Sequence, residues 1–199
     1  MKVNDTRKLI LFQGDEITAE KYPGIETGSG YVSCIRDKLA QYKILNMAEE
    51  GIDSFVMYSR WDERGMDFMP DVFSVLIGKN DITDAEKLPQ GETARRCMVL
   101  LKTAISEAKR INPDIKLIFI EPFMVVNEDE SNSVMFMKAE MTLVQSGLKK
   151  LATEHKCRFV ETQNFFDENK ELIFGNFYPS AAGCKFIADE WIKVFEALR

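Results

Sequence analysis

The strongest constraint on this chain is a rhythm. Five short apolar runs, at residues 8–13, 43–46, 72–77, 116–120 and 157–160, are separated by stretches whose apolar residues recur at helical spacing. The first run, Lys8-Leu9-Ile10-Leu11-Phe12-Gln13, does not alternate cleanly with polar residues. That is the pattern of a strand buried on both faces of a parallel sheet. Parallel neighbours need long crossovers, and the intervening helices supply them with right-handed geometry. The rhythm therefore predicts an α/β chain of five parallel strands in one domain, residues 1–199, with no internal repeat and no linker.

Helices are expected at 31–41, where Val32, Ile35 and Leu39 are spaced along one face, and at 54–68, 92–112, 134–155 and 180–198. A short helical turn is expected at 165–169 and an extended piece at 172–174. Pro113 stops the third long helix, and Ser180 is placed to cap the last one. The segments 23–30 and 127–133 read as loops, the second acidic and mobile.

Charge and composition narrow the partners. The formal net charge is −6, which argues against nucleic acid or an anionic membrane surface, since both call for a basic face. No apolar run reaches membrane-spanning length, and residues 1–7 have no apolar core of a signal peptide. Cys34, Cys97, Cys157 and Cys184 form no CxxC pair, so they read as reduced thiols of a cytoplasmic protein rather than a metal or redox motif. His155 is the single histidine. Oligomeric state is not legible.

Open parallel sheets place ligands at the carboxyl ends of their strands, so the residues that follow the strands matter most. Gly14-Asp15-Glu16-Ile17-Thr18 follows the first strand and Gly78-Lys79-Asn80-Asp81 the third. Tyr178-Pro179-Ser180-Ala181-Ala182-Gly183 leads into the last helix. In this order, and with Arg60-Trp61 and Pro70-Asp71-Val72 between them, these blocks resemble those of the SGNH (GDSL) hydrolase family over nearly the whole chain. The resemblance implies a flavodoxin-like, three-layer α/β/α sandwich and serine esterase or acylhydrolase chemistry without a cofactor.

Carried over position by position, the resemblance puts the nucleophilic serine at Glu16, the orienting acid at Gly175 and the histidine at Tyr178. Of the oxyanion-hole donors, it puts the glycine at Ala48, in Asn46-Met47-Ala48, and the asparagine at Asn80. All three triad positions are therefore substituted, although Gly14, Asp15, Gly78 and Asn80 keep the family's look. A triad needs a hydroxyl, an imidazole to take its proton and an acid to orient the imidazole. Glu16 has no hydroxyl, and a tyrosine phenol stays protonated near neutral pH. An ionised Glu16 would also repel a developing oxyanion. Two like charges about 4 Å apart at an effective dielectric near 20 repel by roughly 4 kcal/mol, about a thousandfold in rate.

His155 sits at the end of the helix before strand five, at the far edge of the sheet. Cys184 lies one turn into the last helix without a base. A Ser54 hydroxyl, beside Asp53, would need Lys79 as its partner.

Three readings follow. In the first, the fold is catalytically silent, Glu16 and Tyr178 face each other, and the crevice formed by Gly14, Asp15, Glu16, Ala48, Gly78, Asn80 and Tyr178 binds a small polar, acyl or sugar ligand. In the second, unusual residues still hydrolyse a carboxylic ester. In the third, Asp15, Glu16, Asp53 and Asp81 gather a divalent cation.

Overall fold

A computed structural model describes residues 6–83, 85–126 and 131–198. In chain order its regular elements are β1 (Leu9–Gly14), α1 (Glu16–Ala19), α2 (Tyr31–Lys38), β2 (Lys43–Asn46), α3 (Ser54–Ser59), α4 (Trp61–Arg64) and β3 (Val72–Leu76). There follow α5 (Lys79–Ile82), α6 (Glu92–Ile111), β4 (Lys116–Ile120), α7 (Asn132–Glu154), β5 (Arg158–Val160), α8 (Gln163–Glu168), β6 (Ile173–Phe174), β7 (Tyr178–Pro179) and α9 (Ala181–Glu196).

The five main strands form one parallel sheet in the order β2-β1-β3-β4-β5. This is the flavodoxin-like order, and its topological switch point lies between β1 and β3. Strand side chains alternate between faces, and here both faces are apolar. Leu11, Phe73, Val75, Leu117 and Phe119 enter one core, under α3, α6 and α7. Ile10, Phe12, Val72, Leu76, Ile118 and Ile120 enter the other, under α2 and α9. The result is a three-layer sandwich. Ser74 and Gln13 are polar residues buried within the sheet; Ser74 is satisfied by the Trp191 indole, whose Nε1 donates to its hydroxyl at 2.9 Å. Among the described residues no helix is long and apolar enough to cross a membrane.

Several elements differ from the expected ones for local reasons. The helix expected at 54–68 is broken into α3, α4 and a 3-10 turn at Met66–Phe68. Gly65 lets the chain press against the Trp61 carbonyl and the Phe73 ring, and Met69 takes a left-handed conformation (φ 48°) before Pro70. The helix expected at 31–41 ends at Lys38. Two four-residue helices, α1 and α5, arise directly after the strand ends, where the sequence suggested only turns. The extended piece near 172–174 becomes the antiparallel hairpin β6–β7. Ser180 does cap α9, accepting from the Gly183 N–H at 3.3 Å. The acidic run Glu128-Asp129-Glu130 lies outside the described residues.

Candidate active site

The site is assembled where β1 and β3 end, on either side of the switch point. After Gly14 the chain must turn sharply, and only a glycine fits: a Cβ there would fall on the Leu76 carbonyl oxygen and 2.5 Å from Thr18 Oγ1. Asp15 then caps α1 by accepting from the Ile17 N–H at 3.0 Å, which fixes Glu16 as the first helical residue, its side chain turned inward. From β3, Gly78 adopts φ +129° and starts α5 with Lys79 and Asn80 as its first two residues.

Glu16 is 6% exposed and Lys79 7%. The Lys79 ammonium stands 2.5 Å from Glu16 Oε1 and also donates to Asn80 Oδ1 at 2.7 Å. Tyr178 donates from its hydroxyl to Glu16 Oε1 at 3.3 Å. The other carboxylate oxygen, Oε2, accepts from Asn80 Nδ2 at 2.9 Å and from the Gly51 N–H at 3.2 Å. Asn80 is oriented by a second bond from its Nδ2 to the Ile52 carbonyl. The rings of Phe177 and Tyr178 lie 5.5 and 5.4 Å from Lys79 Nζ, close enough for cation–π attraction in this desolvated setting. Tyr178 is itself stacked on Tyr22, 5.2 Å between centroids and 10° from parallel.

The electrostatics follow from these contacts. Burial acts to raise the Glu16 carboxyl, but the Lys79 ammonium and the Asn80 amide overcome it and hold the group at about 2. Glu16 is therefore ionised across the neutral range. Asp15 next to it shows the opposite balance. Burial, reinforced by the Glu16 charge, lifts its carboxyl to about 7 despite Lys79. Burial also raises the Tyr178 phenol, with Glu16 adding to the rise and Lys79 opposing it, so the phenol carries its proton at neutral pH.

Not every expected residue reaches this centre. The Ala48 N–H turns back to Asn46 Oδ1 at 3.2 Å. The backbone donor that the carboxylate receives is Gly51, three residues on and at φ +73°. Gly175 lies in the turn of the β6–β7 hairpin at φ +57°, with nothing within 4 Å of where a Cβ would stand. Lys79, the partner that a Ser54 hydroxyl would need, binds Glu16 instead. Ser54 instead gives its N–H and its hydroxyl to Asp81. The acids proposed as cation ligands are likewise dispersed: Asp15 and Asp53 cap α1 and α3, Asp81 holds Ser54, and Glu16 holds Lys79. Among the described residues no three His, Cys, Asp or Glu side chains gather to hold a metal.

His155 caps the end of α7, before β5, and so stands away from the strands' carboxyl ends. Cys184 is fully buried with its sulfur 3.0 Å from the Tyr22 hydroxyl, and burial pushes its thiol up to about 12.

Comparison with known proteins places this geometry. The model of the GDSL-like lipase/acylhydrolase family matches residues 12–186. An acetylxylan esterase of Geobacillus stearothermophilus is 27% identical over 217 residues, covering 97% of this chain and 95% of the relative. Among solved structures, a GDSL-lipase-like protein from Parabacteroides merdae superposes with a TM-score of 0.81 at 25% identity over 96% of both chains. An α/β hydrolase from the metagenome of Lake Arreo shares the fold, with a TM-score of 0.74 at 22% identity over 96% of both chains.

Proposed function

The chain belongs to the GDSL-like lipase/acylhydrolase family, and from that premise we propose that it is a member without ester hydrolysis, in which the family's crevice serves to bind a small polar ligand. One observation carries this reading. Glu16 Oε2 receives both the Gly51 N–H and the Asn80 Nδ2. These are the two kinds of donor, a backbone amide and a side-chain amide, that an oxyanion hole aims at a tetrahedral intermediate. The chain's own carboxylate takes up both, and the Lys79 ammonium balances its charge.

The remaining chemistry points the same way. The carboxylate carries no hydroxyl to attack with. Attack by the carboxylate itself would require withdrawing it from four donors and would give an anhydride that water must then open, with no imidazole beside it to activate that water. The Tyr178 phenol holds its proton, and the lone imidazole, His155, is remote. Losing the nucleophile or the base of a triad costs roughly a millionfold in rate.

The ligand class follows from the family and its relative. An acetylated sugar or a similar small acyl–polyol compound suits a crevice built by a family whose relative is an acetylxylan esterase, and here it would be held without cleavage. The test is hydrolysis of p-nitrophenyl acetate by the purified chain. The expected result is release of nitrophenol at the buffer rate. Turnover that disappears in Glu16→Ala or Tyr178→Phe would overturn the reading.

A further inference from the structure

The Glu16 carboxylate is saturated as well as buried. Oε1 accepts from the Lys79 ammonium and the Tyr178 hydroxyl, and Oε2 from Asn80 Nδ2 and the Gly51 N–H. An ionised carboxylate offers about four lone-pair sites. One cation and three neutral donors therefore match such a group in both number and charge.

None of these donors lies on α1, the element that carries Glu16. Lys79 and Asn80 begin α5, Gly51 follows β2, and Tyr178 lies in β7. Three of them are held by contacts that do not involve Glu16. Asn80 Nδ2 also donates to the Ile52 carbonyl at 2.9 Å. Lys79 donates to Asn80 Oδ1 at 2.7 Å and faces the rings of Phe177 and Tyr178. Tyr178 is stacked on Tyr22. The backbone of Glu16 is held separately, by the Asp15 cap and by the Lys21 N–H on its carbonyl at 3.0 Å. Truncating the Glu16 side chain thus leaves donors and helix in place, with Lys79 an uncompensated buried cation.

We propose that Lys79, Asn80, Gly51 and Tyr178 form a receptor for a small carboxylate, which Glu16 occupies as a tethered internal ligand and keeps closed to free acids. This receptor rests on the proposed function for one point, that Glu16 fills these donors, and not for the absence of ester hydrolysis. Glu16→Ala removes a CH2–COO− unit, which is acetate in size and charge. The exposed Gly51 leaves a way in.

Calorimetric titration and thermal melting of the full chain test it. Glu16→Ala and the parent are compared in acetate, acetamide, trimethylacetate and chloride. Glu16→Ala should bind one acetate per chain with a dissociation constant of about 1 mM or tighter. At about 0.1 M, acetate should then raise its melting temperature by about 5 °C or more over chloride, with the parent unmoved. Acetamide cannot balance Lys79, and trimethylacetate is too bulky for a site where Glu16 is 6% exposed, so neither should reproduce the shift. Adding Lys79→Met should weaken acetate binding by about tenfold or more. Should Glu16→Ala not fold alone, refolding from urea should succeed in acetate and fail in acetamide. The proposal is overturned by melting or refolding indifferent to acetate, by an equal shift in the parent, by equal binding of acetamide, or by acetate affinity unmoved when Lys79→Met is added. Ester hydrolysis is not read in any of these measurements, so failure here is distinct from failure of the silent reading.

Discussion

Replacing Lys79 with methionine removes the cation that makes a buried Glu16 carboxylate tolerable, and the cost can be worked out in two ways. Breaking a buried ion pair from one side typically costs about 3–5 kcal/mol, because the surviving charge is stranded. Glu16 would keep three donors, Asn80, Gly51 and Tyr178, which favours the lower end. The second route uses the Glu16 carboxyl, held at about 2 against an ordinary 4.5. At about 1.4 kcal/mol per pH unit, that gap is worth about 3 kcal/mol at neutral pH, and Lys79 is its largest favourable cause. For a chain of this length, about 3 kcal/mol lowers the melting temperature by roughly 6–12 °C.

The pH dependence has a definite sign. A carboxyl whose folded value is depressed stabilises the fold above its unfolded value and loses that stability as pH falls toward the folded one. The deficit of Lys79→Met should therefore be full at pH 7 and shrink toward pH 3. Urea denaturation at several pH values measures it, and Glu16→Gln combined with Lys79→Met should recover at least half of the loss, as coupled neighbours do. A single variant within about 0.5 kcal/mol of the parent at pH 7, or strict additivity in the double variant, would refute the reasoning.

Three further outcomes follow. Asp15, lifted to about 7, binds a proton in the folded state that the unfolded chain releases above about 4. Its stabilisation is therefore present at low pH and lost as pH rises through 7, and Asp15→Asn should flatten that limb in melting curves taken between pH 4 and pH 8. Gly14→Ala forces a methyl onto the Leu76 carbonyl and Thr18 and should cost more than about 3 kcal/mol or prevent folding, which circular dichroism and soluble yield will report. Glu16→Ser with Tyr178→His would free the Gly51 and Asn80 donors and set a hydroxyl beside an imidazole. Hydrolysis of p-nitrophenyl acetate should rise clearly above that of the parent chain, and a rate equal to the parent's would mean that those donors are not aimed at a reacting carbonyl.

The sheet was legible because its signal is redundant. β2 and β4 fall at their expected residues, and β1, β3 and β5 within one residue at a boundary, since apolar runs buried on both faces leave little freedom of register. The helical region after β2 was less so. Phe55, Tyr58 and Trp61 keep helical spacing, yet Gly65 and the left-handed Met69 divide the segment for the sake of packing against Phe73. That is tertiary context overriding local pattern. At the site, the meeting of Glu16 with Tyr178 and Asn80 was foreseeable from the order of the blocks. The pairing of Lys79 with Glu16 was not, because the sequence offers Lys79 only as a partner for Ser54, and it takes the fold to close two aromatic rings and a buried carboxylate around it. Gly51 was not legible either, because only the loop geometry of the fold brings its N–H to the carboxylate while the Ala48 N–H turns back to Asn46.

The account depends on an ionised Glu16, at the end of β1, filling the donors that follow β2 and β3. Carbon-13 NMR of the side-chain carboxyls, with the Glu16 resonance assigned through Glu16→Gln, follows that ionisation directly. The resonance should titrate near 2 and remain that of a carboxylate from pH 4 upward. A midpoint at or above 4.5 would show the carboxyl to be unpaired or protonated, and the donors of Gly51 and Asn80 to be open to something else.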